Sequence, residues 1–129
     1  MKKLGFIVCG ITLGLVGCRT ALLRNPGPIA VVCASEMKMK QAVRSGLTKR
    51  GWVVNSEMTG RTDASLLIRD HEAKISVMYT ASEFSIQYVD SKNLHYGKDS
   101  KGREVIHENY NEWINNLVKD IGLFAGTTG

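Results

Sequence analysis

The sequence predicts an α+β domain of two layers, with a mostly antiparallel sheet of about four or five strands and two helices on one face. Two observations carry this. Residues 73–80 place Ile75, Val77 and Tyr79 on one side and Lys74, Ser76, Met78 and Thr80 on the other, and residues 83–89 repeat the pattern. Such period-2 alternation marks half-buried antiparallel strands. Residues 36–50 and 105–121 instead space their apolar side chains as helices do, leaving each one stripe to bury. Elements with a single apolar face bury them against one another, which resolves as two layers in the order β-α-β-β-β-β-α.

Ahead of the domain, Lys2 and Lys3 precede an apolar run from Leu4 to Val16. The run is too short to span a bilayer, which takes about 20 residues, and a short apolar run behind a basic start is a signal-peptide feature. It ends in Leu15-Val16-Gly17-Cys18, which resembles the lipobox of a bacterial lipoprotein precursor. The resemblance implies that residues 1–17 are removed as a signal peptide. Cys18 then becomes the first residue, with its sulfur diacylated and usually a third chain on the new amine. Two or three acyl chains make a durable anchor where one gives only reversible binding. Arg19 follows the cysteine, where enteric-type bacteria use aspartate to retain lipoproteins in the inner membrane. The resemblance therefore favours the outer membrane, periplasmic face.

The 129 residues less the 17 of the signal leave 112, enough for one domain with a modest core. The formal charge of +5 falls to +3 once Lys2 and Lys3 leave, short of a nucleic-acid binder's signature. With Cys9 removed and Cys18 lipidated, Cys33 alone remains, so no internal disulfide forms. Its place at the end of an apolar run suits a small buried hydrophobe.

Residues 18–28 read as the lipidated cysteine and a tether stiffened by Pro26 and Pro28, and residues 29–129 as the single domain. The apolar run 29–33 has the length of a strand covered on both faces. Ser35 is placed to N-cap the first helix, and Gly51 to end it with positive φ. Met39, Ala42, Val43, Gly46 and Leu47 form its buried stripe, and Lys38, Lys40, Arg44 and Lys49 lie off it. A strand follows from Trp52, then a turn over 59–63, then a strand over 64–71. Residues 90–93 interrupt the next pattern, 94–96 continue it briefly, and 97–102 form a polar loop. In the last helix Ile106, Tyr110, Trp113, Ile114, Leu117 and Ile121 share a stripe that Gly122 is expected to end.

Two groups of residues are candidates for function. His107, Asn109, Tyr110 and Trp113 cluster at the start of the second helix, where helix N-termini favour anions, although buried Tyr110 and Trp113 would equally serve the core. This stretch and residues 88–94 look like those of small bacterial lipoproteins with no assigned activity, a resemblance covering about 70–121 that implies one α+β domain and no reaction. Lys38, Lys40, Arg44 and Lys49 offer a basic face to an envelope protein or anionic lipid, unless Glu104, Glu108 and Glu112 of the other helix balance it. His71, His95 and His107 match no metal-ligand spacing. Asp90, Ser91 and His95 lack the nucleophile elbow of a hydrolase. The uncovered sheet face, with Lys74, Ser76, Met78, Ser85 and Gln87, is either wet or a docking surface.

The expected protein is thus a non-enzymatic envelope lipoprotein acting as a binding or assembly-accessory module. It has no cofactor, its lipid on Cys18 meets the membrane, and no nucleic acid is a partner. The alternative is a small hydrolase or ligand-binding protein with a site around Asp90, His95 and His107.

Overall fold

In the computed structural model the alternating stretches pair as antiparallel ladders. The structure describes residues 19–127, so the signal stretch 1–17 and Cys18 lie outside the described residues. The main sheet contains β2 (Ile29–Ala30), β3 (Val53–Met58), β4 (Arg61–Ile68), β5 (His71–Tyr79) and β6 (Glu83–Lys92), in the spatial order β2-β6-β5-β4-β3. Ile75 lies opposite Ala64 on β4 and Tyr88 on β6, so the apolar positions of three strands line up on one face. The helices α1 (Glu36–Lys49) and α2 (Glu108–Thr127) cover that face. The result is the two-layer α+β architecture expected, with the two helices in contact where Gly46 faces Ile121.

Helix α1 starts at Ser35, whose Oγ accepts the Lys38 backbone N–H at 3.1 Å. It ends where Gly51 takes φ +86°, a conformation glycine adopts without steric cost. Between these caps Met39, Ala42, Val43, Gly46 and Leu47 are buried, the expected stripe. Helix α2 buries Tyr110, Ile114, Leu117, Ile121 and Ala125. It does not stop at Gly122, because the stripe continues through buried Ala125 and nothing in the Gly122 backbone turns the chain. The fully buried tryptophan is Trp52, 3 % exposed at the entry to β3, while Trp113 is half-buried at the margin of the core.

A second, three-stranded sheet was not expected. Strands β1 (Thr20–Leu22), β8 (Glu104–His107) and β7 (Gly97–Lys98) lie in the order β1-β8-β7. Glu104–His107 has the apolar spacing of a helix start but pairs with strands on both sides, and tertiary pairing outweighs that local pattern. The segment expected as a tether is bonded into the domain. Thr20 pairs with His107 and Leu22 with Val105, and the Leu22 carbonyl accepts Asn111 Nδ2 at 2.8 Å. Asn25 Oδ1 and the Pro26 carbonyl accept the backbone N–H groups of Tyr88 and Ile86, donors on β6 that the two-residue β2 does not reach. The run 29–33 is correspondingly no central strand: β2 holds two residues at the sheet edge, and Val32 is 88 % exposed. The chain must leave the sheet there to reach the cap at Ser35.

Candidate functional site

Pleating sends alternate side chains to opposite faces, so the residues next to the core positions form a second surface that no helix covers. On β4 these are Arg61, Asp63, Ser65 and Leu67, and on β5 Glu72, Lys74, Ser76 and Met78. Two β-bulges shape the surface, one in β3 between Val54 and Ser56 and one in β6 opposite the Lys74–Ile75 step. Each places an extra residue, Asn55 or Val89, at the rim of a shallow depression of about 470 Å³ floored by Asp63, Ser65, Lys74 and Ser76.

Asp63 organises this floor. Its Oδ1 accepts Arg61 Nε at 2.9 Å and Ser76 Oγ at 2.7 Å, and its Oδ2 accepts Ser56 Oγ at 3.1 Å. The Arg61 hydrogen bond, then that of Ser76, holds the carboxyl below the usual aspartate range. A carboxylate so stabilised in its ionised form is poorly suited to general acid–base work at neutral pH. It fixes Arg61, Ser56 and Ser76 in place instead, and the result is a preorganised polar surface. Lys92 approaches Glu72 at 3.7 Å on the same face. Arg61 and Asp63 escaped the sequence reading because 59–63 reads as a turn. The turn is only Thr59–Gly60, with Gly60 at φ +75°, and the alternation Thr62, Ala64, Leu66 already runs back through Asp63.

The basic positions of α1 separate. Arg44 makes a two-pronged contact with Glu57 of β3, at 2.8 and 2.6 Å. That hydrogen bond raises the guanidinium's pKa and lowers the carboxyl's. Lys49 stands 3.6 Å from Asp120 of α2, whose other oxygen takes Arg50 Nε at 2.6 Å. The counter-charges for these residues are therefore Glu57 and Asp120. Glu108 pairs with Arg19 and Glu104 accepts the Tyr96 hydroxyl, so neither balances the helix. Lys38 is exposed, while Lys40 is half-buried beside Thr59 of the β3–β4 turn and helps to lower the pKa of the Glu57 carboxyl.

The group at the start of α2 divides by burial and role. His107 Nδ1 accepts the Asn109 backbone N–H at 3.1 Å and so caps the helix. Asn109 is exposed, Tyr110 is fully buried with its ring edge-on to Tyr88, and Trp113 is half-buried. Burial pushes the Tyr110 hydroxyl pKa up, and the hydrogen bond to Glu104 raises that of Tyr96 to about 12.

The three histidines, from three different elements, do meet: the His107 ring centre is 6.5 Å from that of His71 and 6.3 Å from that of His95. Asp90 is not among them. It stands opposite Lys74 on the helix-free face, with Oδ1 on the Ser91 N–H, while Ser91 Oγ lies 2.7 Å from the Tyr88 hydroxyl.

No known protein family, curated protein or solved structure matches this chain. Among the described residues no group of three or more His, Cys, Asp or Glu side chains has metal-binding geometry. No described helix is long and apolar enough to cross a membrane. The site of choice is therefore the helix-free sheet face, where a depression coincides with a carboxylate-centred network of charged and hydroxyl side chains.

Proposed function

We propose that the protein is a lipid-anchored, non-enzymatic binding module of the cell envelope, whose helix-free sheet face docks a partner protein. One observation carries this reading: Asp63 holds Arg61, Ser56 and Ser76 in fixed positions on a surface rimmed by exposed Val53 and Val89. Prefixed polar groups within an apolar rim lose little side-chain entropy on binding, as partner-contact surfaces require. The lipobox at Leu15-Val16-Gly17-Cys18 supports an anchor on Cys18 and a place on the periplasmic face of the outer membrane.

The second reading, a hydrolase or ligand-binding site at Asp90, His95 and His107, has less support. His95 and His107 adjoin, but Asp90 lies on the other face of the sheet. A photo-crosslinking residue at Ser65 on the sheet face, compared with one at Lys101 in the β7–β8 turn, tests the docking face in intact envelopes. A discrete crosslinked protein at Ser65 and none at Lys101 is expected. Equal diffuse products at both positions would reject the sheet face.

A further inference from the structure

The end of the domain from which the chain exits toward Cys18 has its own composition. Neighbouring Cα atoms lie about 3.8 Å apart, so whatever holds Arg19 sets where a lipid on the preceding residue would leave the domain. The Arg19 carbonyl accepts the Glu108 N–H at 2.9 Å, its Nε lies 2.6 Å from Glu108 Oε2, and Thr20 pairs with His107. A free flexible tether of ten residues would let the domain wander by about 17 Å. With Arg19 bonded into the domain, a lipid on the residue before it would set which end of the domain meets the bilayer.

That end is defined by a chain of contacts. His107 stands beside His71 and His95, His71 Nδ1 donates to the Asn93 carbonyl at 2.8 Å, and Asn93 Nδ2 donates to the Asp70 carbonyl at 2.6 Å. The β4–β5 turn at Arg69–Asp70 therefore sits at the anchor end. Just before it, Leu67 is 67 % and Ile68 40 % exposed. Of the cations there, Arg19 pairs with Glu108 and Lys92 with Glu72, whereas Arg69 makes no ion pair among the described residues. Here His71 stands opposite Ile68, and Asp70 at the turn lies 3.7 Å from His71 Nε2, which leaves the aliphatic pair beside the unpaired Arg69; exposed aliphatic side chains beside arginine are a composition that settles at a lipid–water boundary.

We infer, resting on the lipid-anchor reading, that this end lies against the phospholipid surface, with Leu67 and Ile68 in the interface and Arg69 among the headgroup phosphates. The opposite end follows from strand length. Arg61 to Ile68 spans about 23 Å at 3.3 Å per residue, so the Gly60 turn and the start of α1 with Lys38 and Lys40 point away from the anchoring leaflet. The sheet face then stands upright, with its Leu67 end at the lipid and the depression around Asp63 open to a partner.

Spin-label accessibility on the lipidated full chain tests this. Cys33→Ser leaves no competing thiol in the mature chain. A nitroxide is placed at Ile68→Cys or at Met58→Cys, both exposed positions, and unchanged melting confirms that each variant folds. In vesicles of phosphatidylethanolamine and phosphatidylglycerol, the label at 68 should be several-fold less accessible to a water-soluble nickel chelate than the label at 58. Equal accessibility on protein carrying acyl mass at Cys18 overturns the orientation alone. Protein without acyl mass at Cys18 overturns the anchor reading and the orientation with it.

Discussion

Two glycines in the helices respond oppositely to the same substitution, and their difference measures the closeness of α1 and α2. A Cβ placed on Gly46 would lie 2.8 Å from Ile121 Cγ1 and 3.3 Å from the Ile121 backbone N. Carbon contacts are optimal near 3.5–4.0 Å, so the helices would have to part by roughly 0.7 Å. Met39, Val43, Leu47, Ile114 and Leu117 around that contact are all 0 % exposed and would lose packing together. Overpacking of this kind costs about 1–3 kcal/mol, and the better helix propensity of alanine returns about 1 kcal/mol. Gly46→Ala should therefore destabilise the domain by about 1 kcal/mol. At Gly122 a Cβ meets nothing within 4 Å and the backbone is helical, so Gly122→Ala should stabilise by up to about 1 kcal/mol. The gap of about 2 kcal/mol corresponds to about 8 °C in melting temperature for a domain of this size. Thermal unfolding of both variants, followed by far-ultraviolet circular dichroism, reads it directly. Equal gains at both sites would show that the helices do not touch at Gly46. A loss at Gly122 would show that the helix ends there after all.

Three further predictions follow from the same contacts. Ser35→Ala removes the acceptor for the Lys38 N–H and should cost about 1 kcal/mol; denaturant unfolding with an unchanged midpoint would mean the cap contributes nothing. Trp52→Ala should cost about 3–5 kcal/mol as a buried large aromatic, and Trp113→Ala distinctly less, an order that reverses if Trp113 is the core residue. Hydrogen bonds from Arg50, Arg44 and Arg61 hold the carboxyls of Asp120, Glu57 and Asp63 below their usual range. A depressed carboxyl pKa stabilises the fold above the unfolded-state value and ceases to do so as pH falls through the folded one. Stability should thus decline as pH drops below about 4, and Asp120→Asn should flatten part of that decline; identical acid profiles for wild type and variant would exclude Asp120 as a contributor.

The parts of the fold legible in the sequence are those whose pattern is local. Ile75, Val77 and Tyr79 announce β5 by alternation alone, and Ser35 and Gly51 mark both ends of α1 by the backbone chemistry each permits. Where pairing partners lie far apart in the chain, local pattern misleads. Ile106 falls on the stripe of α2, yet Thr20–Leu22, more than 80 residues earlier, draws it into a strand. The same holds for charge. The basic positions of α1 are plain in the sequence, but Glu57 and Asp120, the acids that meet Arg44 and Lys49, are revealed only once β3 and α2 pack beside it. The depression on the sheet face is hidden in the sequence for a different reason. Composition alone reads Arg61 and Asp63 as part of a turn, although Thr62 and Ala64 continue the alternation of β4 toward Gly60. The meeting of His71, His95 and His107 had no sequence signal, because each comes from a separate element and only the folded ladder aligns them.

The proposed anchor on Cys18 underlies both the proposed location and the proposed orientation of the domain on a membrane. Its most direct test is the intact mass of the chain recovered from envelopes, together with incorporation of labelled fatty acid in cells making wild type or Cys18→Ala. A mature chain that begins at Cys18 and carries two or three acyl chains, with both label and processing lost in Cys18→Ala, is the predicted result. An unmodified Cys18, or label that persists in Cys18→Ala, would contradict the account.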